Sequence, residues 1–208
     1  MTDTATALRV KQAPLKDSYR SDASKAQVTL KSSGTLDSSS ISCRLDTGRA
    51  VAAAKAEAKV AGLHPLAGGD DPAISGELCS GDMLLEALVA CAGVTLKAVA
   101  TALGVPIKNG KVLAEGDLDF RGTLGVDKTA PVGFTAIRLA FEIELDQNDE
   151  RSKDVTEDTI GKLGKLTERY CVVLQTIAKK PELSVSMRGN AGPSEDGVER
   201  EMVWGQKM

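Results

Sequence analysis

The residues of this chain that could do chemistry are four cysteines, Cys43, Cys79, Cys91 and Cys171. A thiolate is a nucleophile and a metal ligand, and its reactivity depends on the local electrostatic environment. The four cysteines show no C-x-x-C zinc spacing, and they are too few for a disulfide framework in a chain of 208 residues. We therefore expect either inert core thiols or chemically used ones, with no metal and no cofactor.

The four thiols differ in their predicted surroundings. Cys43 lies on the apolar side of a predicted strand, where a thiol acts as a small hydrophobe. Cys79 precedes a long apolar helix and is better placed for the helix dipole than Cys91, in the middle of the same helix. Twelve helical residues at ~1.5 Å each put these two about 18 Å apart, too far for a disulfide. Cys91 and Cys171 lie on different helices and can be neighbours.

Composition and charge exclude several classes of function. The net charge is −3, whereas a nucleic-acid surface needs clustered Lys and Arg. No apolar run approaches the ~18 uncharged residues that would indicate a membrane span, and residues 1–25 lack the apolar core of a signal peptide. We expect a cytoplasmic protein with no nucleic-acid and no membrane partner. Its single histidine, His64, is expected to be a loop residue with a local packing role.

The predicted central element is a helix that begins after Cys79. Ser80 is expected to be its N-cap, with Asp82 interacting favourably with the helix dipole, and Gly104 is expected to end it. Between Asp82 and Gly104 only Glu86 and Lys97 are charged. Because such a helix has almost no polar face, we expect it to be buried on nearly all sides.

Alternation of apolar and polar residues predicts strands before and after this helix. In chain order these are Gln27–Ser32, Ser40–Asp46, Ala50–Ala61, Val112–Arg121, Thr135–Leu145 and Leu183–Arg188. In Ala50–Ala61 the alanines favour a helix, but the period-two alternation favours the strand. A second, amphipathic helix is expected to begin at the N-cap Thr156 and to be ended by Pro181. The order βββ-α-ββ-α-β predicts an α+β domain, with helices packed on antiparallel sheets, over residues 27–188. Residues 1–26 are expected to be a poorly structured lead-in and residues 189–208 a loose polar tail.

Two segments resemble the OsmC/Ohr family. Leu78–Gly104, with its L-L-x-A-L-x-x-C core, is similar to that family's peroxidatic-cysteine helix, and Leu166–Ile177 (L-T-E-R-Y-C-V-V-L-Q-T-I) is similar to its second-cysteine helix. The resemblance implies an OsmC-like fold, an intertwined homodimer and sites at the subunit interface. It implies that Cys91 reduces an organic hydroperoxide and becomes a sulfenic acid, and that Cys171 resolves it to a disulfide. A dithiol reductant, such as a lipoylated protein, would then reopen the disulfide.

The chain departs from the organic-hydroperoxide branch of that family before the reactive helix. That branch has a Pro-Glu pair whose Glu lies ten positions before the cysteine and holds an arginine, whereas this chain has Ser80 and Gly81 there. Asp82 is the nearby acid, and Arg44 and Arg49 are substitutes for the arginine by proximity. Of these, Asp82 and Arg44 join the two cysteines as candidate catalytic residues.

An alternative function is a non-peroxidatic OsmC-like dimer that binds a small apolar ligand or senses redox state. Gly81 at the position of the acidic residue favours this alternative. A guanidinium near Cys91, with the Cys171 sulfur a few ångström away, would favour the enzyme, and a thiol sealed among aliphatic side chains would favour the binding protein. Cys79 stays open as a structural thiol, an alternative resolving thiol or an accessory nucleophile.

Overall fold

The computed structural model describes residues 60–69, 71–125, 127–193 and 199–207, the segments 33–36 and 42–46, and the single positions 6, 10, 13 and 21. For residues 33–36, 42–46, 190–193 and 199–202 the backbone alone is described. The elements up to the central helix are β1 (Ser33–Leu36), β2 (Ser42–Asp46), β3 (Val60–Gly62), the one-turn helix α1 (Pro72–Ser75), β4 (Leu78–Cys79) and α2 (Ser80–Leu103). The elements after it are β5 (Ile107–Leu118), the one-turn helix α3 (Phe120–Thr123), β6 (Phe134–Leu145), α4 (Glu157–Tyr170), α5 (Val172–Ala178), β7 (Ser184–Pro193) and β8 (Glu199–Lys207).

These strands form three small sheets within the described residues. The first has the order β1-β2-β3-β4, antiparallel except for the β3–β4 pair, which is parallel. The second is the long antiparallel hairpin β5–β6, and the third is the antiparallel pair β7–β8. The mixed helix and strand content confirms the predicted α+β class.

Helix α2 lies between the β5–β6 hairpin and the helices α4 and α5. Leu88, Ala92, Leu96 and Ala100 are buried and recur every four residues, which places them on one face of the helix. Full burial of a leucine such as Leu88 contributes about 2 kcal/mol. The opposite face of α2 is exposed in the single chain, where Val94 is 72% exposed. The expectation of burial on nearly all sides is therefore wrong for one chain by itself.

By length and composition alone, α2 is long and apolar enough to cross a membrane, and it is the one such helix in the described part of the chain. A helix at the centre of a globular domain passes the same test. The buried face of α2 packs on α4, α5 and β5, and Asp82, Glu86 and Lys97 lie along its length. These contacts indicate a core helix.

The β5–β6 hairpin presents one apolar and one charged face, as its alternating sequence predicts. Val112, Ala114, Ile137 and Leu139 face the buried cluster around α2. On the other face Arg138 bridges Asp117 at 2.6 Å and Glu115 at 3.1 Å. All three side chains of this network are exposed, so it contributes little to stability.

Several predicted boundaries differ from the observed ones. Predicted strand Gln27–Ser32 and most of Ala50–Ala61 lie outside the described residues. The strand predicted to end at Arg121 ends at Leu118 instead, because Asp119 caps the one-turn helix α3 through a hydrogen bond from the N–H of Arg121. The expected N-cap of α2 is also corrected, since Cys79 holds that position and Ser80 is the first helical residue.

The chain after residue 188 is not a loose tail throughout. Strand β8 pairs with β7 in a register that sets Met187 opposite Trp204 and Ser186 opposite Gly205. Within the described residues this hairpin makes few contacts with the rest of the molecule. The division of the chain into lead-in, domain and tail remains a prediction.

Candidate active site

The second predicted helix is broken at Cys171, and this break shapes the site. The N–H of Cys171 donates to the carbonyl of Thr167 (3.0 Å) and closes α4, whereas its carbonyl accepts from the N–H of Gln175 (2.9 Å) in α5. Cys171 itself is extended, with φ −72° and ψ 106°. The side chain of Gln175 donates across the break to the carbonyl of Glu168 (2.9 Å). The first N–H groups of α5 are therefore free of intrahelical partners and can donate to another group.

The break brings Cys171 against Cys91 of α2. Cys171 is fully buried with Leu88 and Ala92, and Cys91 is partly exposed at the edge of the same cluster. Both are free cysteines. The structure thus brings together the two thiols that the resemblance pairs.

The surroundings of the Cys91 sulfur lower the pKa of its thiol. Burial acts in the opposite direction and raises the pKa, but hydrogen bonds to the sulfur outweigh it. In decreasing order of effect they come from the N–H of Val173, the thiol of Cys171, the N–H of Val172 and the side chain of Thr95. Hydrogen bonds to a charged form favour that form. The Cys91 thiolate is therefore stabilised by backbone donors of α5 and by its neighbouring thiol.

The pKa of the Cys171 thiol is shifted in the opposite direction. Burial raises it, and the hydrogen bond and negative charge of Cys91 raise it further, against the lowering effect of the N–H of Leu174. The accessible Cys91 is therefore the first of the pair to lose its proton as the pH rises, and the buried Cys171 keeps its proton to higher pH. Such a pair can supply one nucleophile and one protonated thiol at the same time.

Sequence reasoning missed the donors that activate Cys91. It predicted one continuous helix through Cys171, and in a continuous helix the N–H groups of Val172 and Val173 would be bonded within the helix. No glycine or proline marks the break. The two β-branched valines, which have lower helix propensity, were the only local signal.

The other two candidate catalytic residues are in α2 and β2. Asp82 is in the first turn of α2, nine residues from Cys91, or about 13 Å along the axis. Arg44 is in β2, where its backbone pairs with Thr35 and Val60, and its side chain lies outside the described residues. The structure therefore does not bring Asp82 to Cys91.

A cavity of about 220 Å³ lies at the N-terminal end of α2. Its lining residues include Cys79, Asp82, Leu85, Phe120 and Phe134. Gly81 lies in the same wall, and a Cβ there would come within 3.4 Å of the Phe134 ring and 3.6 Å of the Cys79 sulfur. A glutamate at this position would have to displace its neighbours or extend into the cavity.

His64 has the local role that its loop position predicts. Its Nδ1 accepts a hydrogen bond from the N–H of Leu66 (3.1 Å), and its ring stacks on Phe120 with centroids 4.9 Å apart. Among the described residues, no group of three or more His, Cys, Asp or Glu side chains could hold a metal ion.

An α+β fold with a hydrogen-bonded pair of thiols between its central helix and a broken second helix defines the class of this protein. The chain belongs to the OsmC-like protein family, whose sequence model matches residues 71–186 and so includes both thiols. That family includes peroxidases. The predicted family and fold are confirmed.

Two solved structures illustrate the likeness of fold. An OsmC-like protein from Mycoplasma pneumoniae is 16% identical, with 74% of this chain and 90% of that chain covered and a TM-score of 0.54. An OsmC-like protein of unknown function from Vibrio cholerae is 11% identical, with 72% and 94% covered and a TM-score of 0.51. At these identities the likeness concerns the fold alone. No curated protein matches the chain significantly.

Proposed function

We propose that this protein is a thiol-dependent peroxidase that reduces organic hydroperoxides, with Cys91 as the peroxidatic and Cys171 as the resolving cysteine. The observation that carries the proposal is the hydrogen-bonded pair of thiols, in which the pKa of Cys91 is lowered and that of Cys171 is raised. A peroxidatic cysteine must be a thiolate with access to substrate, and a resolving cysteine must lie beside it.

The proposed reaction has three steps. The Cys91 thiolate attacks the terminal oxygen of the hydroperoxide, the O–O bond breaks, and the alkoxide leaves and takes up a proton to become an alcohol. The Cys91 sulfenic acid then condenses with the Cys171 thiol, which forms a disulfide and releases water. A dithiol reductant, for which a lipoylated protein is our candidate, reduces this disulfide by thiol–disulfide exchange. The proposal places the protein in the cytoplasm, where such disulfides are reopened.

Arg44 and Asp82 enter the proposal as an ion pair that would assist the thiolate. The β1–β4 sheet joins their segments, because β2 pairs with β3 and β3 pairs with β4, which runs directly into α2. A guanidinium delivered to Cys91 would lower the pKa of its thiol beyond what the backbone donors achieve.

We also propose that the active form is a homodimer. The exposed face of α2 contains Leu84, Ala87, Ala90 and Val94 beside Cys91. A helix face of small and aliphatic residues allows close packing of a second helix, and exposed apolar patches mark interaction sites. A second copy of the chain would cover this face and enclose the opening to Cys91.

One observation favours the alternative of a ligand-binding or redox-sensing dimer. The cavity beside Cys79 has an apolar and aromatic lining that includes Leu118, Phe120 and Phe134, which is the usual character of a small-molecule site. In that alternative the Cys91–Cys171 pair would report redox state without turnover.

The test of the proposed function is a titration of reduced protein with one equivalent of cumene hydroperoxide, followed by intact mass and disulfide mapping. We expect the loss of two hydrogens and a Cys91–Cys171 bridge. Cys91→Ser should abolish the reaction, and Cys171→Ser should accumulate oxidised Cys91 without this bridge. Cys79→Ser is the matched control and should react like the parent protein.

Two outcomes would contradict the proposal. A mapped bridge through Cys79 would show that the resolving role is wrongly assigned. No reaction within minutes would exclude the peroxidase and leave the ligand-binding or sensing dimer as the better account.

A further inference from the structure

We propose that Gln175 is a positioning residue for the thiol pair, because its side chain stabilises the break between α4 and α5 and so leaves the first N–H groups of α5 directed at Cys91. The side-chain amide of Gln175 donates to the carbonyl of Glu168 at 2.9 Å across the break. A carbonyl oxygen only accepts, so the NH2 end of the amide faces Glu168. The backbone N–H of Gln175 donates to the carbonyl of Cys171 at 2.9 Å, so that this one residue is bonded to both sides of the break.

The place of this bond in the helix explains its effect. In an unbroken α-helix the carbonyl of Glu168 would accept from the N–H of Val172, four residues further on. The carbonyl one residue earlier, that of Thr167, still has its ordinary partner, the N–H of Cys171 at 3.0 Å. The break therefore takes the helical donor away from Glu168, and the side chain of Gln175 supplies another donor in its place.

The N–H group that is released in this way is a donor to Cys91. The N–H groups of Val172 and Val173 both donate to the Cys91 sulfur and lower the pKa of its thiol. In an unbroken helix each of them would be bonded to the carbonyl four residues before it. The two arrangements exclude each other. Gln175 favours the first, because it satisfies the Glu168 carbonyl, which would otherwise compete with Cys91 for the N–H of Val172.

The inference concerns the Cys91 thiol before any peroxide is present. Its effect on the reactivity of Cys91 therefore does not depend on the proposed peroxidase. A role of Gln175 in turnover does rest on that proposed function, and the experiments below keep the two apart.

Replacement of Gln175 by methionine removes the donor and keeps a neutral side chain of similar length. In Gln175→Met the N–H of Val172 can bond to Glu168 instead of Cys91, so the pKa of Cys91 should rise. Alkylation of Cys91 by iodoacetamide at neutral pH should slow about tenfold, as for the loss of one charge-assisted hydrogen bond, and should recover at alkaline pH, where the thiolate is the major form. The Cα chemical shift of Cys171 should move from its extended towards a helical value.

Thr176→Val is the matched control in α5. It removes the hydrogen bond from the Thr176 hydroxyl to the carbonyl of Val172, at 2.8 Å, and leaves the bond between Gln175 and Glu168 in place. Alkylation of Cys91 should be unchanged. Both substitutions are neutral and leave the ionisable side chains beside the break as they are, namely Glu168, Arg169 and Cys171.

Val172→Pro provides an independent second variant. Proline is favoured at the first position of a helix and has no N–H group, so at the start of α5 it removes the donor for which Cys91 and Glu168 compete and prevents an unbroken helix. The side chain of Val172 is 70% exposed, so its replacement should disturb little packing. Alkylation of Cys91 should slow through the loss of this donor, but Gln175→Met should then have no further effect.

Three results would overturn the inference. An unchanged alkylation rate in Gln175→Met would show that the break persists without this side chain. Equal slowing in Thr176→Val would indicate a general loosening of α5. Further slowing by Gln175→Met in the Val172→Pro background would show that Gln175 does not act through the N–H of Val172.

Consumption of cumene hydroperoxide by the same variants separates this inference from the proposed function. If the parent protein reacts, Gln175→Met should react more slowly at neutral pH and recover at alkaline pH, whereas a merely structural loss would persist at both and would contradict the inference. If the parent does not react with the peroxide but alkylation changes as expected, the peroxidase is excluded and the role of Gln175 is supported.

Discussion

At the scale of single residues, the two thiols differ because each occupies a different position relative to the start of α5. The Cys91 sulfur accepts hydrogen bonds from Val172 and Val173, whereas Cys171 lies within the buried cluster beneath them. Since Cys171 also donates to Cys91, the state of each thiol depends on the other. The activation of Cys91 should therefore respond to substitution at Cys171.

Replacement of Cys171 tests this dependence. Cys171→Ala removes a donor to the Cys91 sulfur, so the pKa of Cys91 should rise and its alkylation by iodoacetamide should require a higher pH. The sign follows because the thiolate, which is the reactive form, is a minor fraction below the pKa and the major form above it. Cys171→Ser retains a donor and should keep the pH profile closer to that of the parent. Alkylation of the Cys91 peptide, followed by mass spectrometry from neutral to alkaline pH, measures both. An unchanged profile in Cys171→Ala would mean that the α5 backbone and Thr95 activate Cys91 without help from Cys171.

At the scale of elements, α2 owes its length to an apolar sequence and its end to one glycine. Gly104 has φ +74°, and its N–H donates to the carbonyls of Ala100 and Thr101. The left-handed conformation allows the chain to turn from α2 into β5. This turn sets the β5–β6 hairpin against the helix face that contains Leu88 and Ala92.

Substitution of Gly104 measures how much free energy a residue with a side chain loses in the left-handed conformation. A Cβ at Gly104 would meet no atom within 4 Å, so Gly104→Ala should destabilise the fold by about 1 kcal/mol through backbone strain alone. Gly164 is a matched control, because it lies in the interior of α4 and is equally free of neighbours. Gly164→Ala should stabilise by roughly 0.5–1 kcal/mol, since alanine is the better helix former. Urea denaturation gives both free energies of unfolding, and the same sign for both would contradict the assignment.

Elements with local signals could be predicted from the sequence, and elements defined by distant partners could not. The end of α2 at Gly104 and the strand ending at Leu145 were predicted, because a glycine stop and an alternating pattern are local. The break at Cys171 was not, because it lies in a sequence without glycine or proline and is stabilised by contacts with α2. Strand β8 was not predicted either, since its residues become a strand by pairing with β7. The donors to Cys91 come from residues about 80 positions away, beyond any local pattern.

At the scale of the whole molecule, the single chain leaves part of its most apolar helix exposed. Val94 is 72% exposed on the face of α2 that also presents Cys91, whereas Leu88 on the opposite face is fully buried. A helix that is apolar around most of its circumference is stably folded only when other parts of the protein pack against every side of it. The proposed homodimer supplies the missing cover from a second copy of the chain.

A charge placed on this face tests the dimer. Val94→Glu would bury a carboxylate in the proposed interface, where its desolvation is costly, and should weaken dimerisation by about tenfold or more. Val132→Glu is the matched control, because Val132 is also a highly exposed valine, at 74%, in the loop before β6, and it should leave the dimer unchanged. Light scattering across a dilution series measures the association, and turnover of cumene hydroperoxide on the same samples shows whether activity follows the dimer.

A parent protein that is monomeric throughout, or a Val94→Glu variant that associates like the parent, would remove α2 from the interface. If the dimer weakens and peroxide turnover falls with it, the partner subunit completes the environment of Cys91. If the dimer weakens and turnover is retained, the α5 backbone and Cys171 are sufficient for the chemistry within one chain.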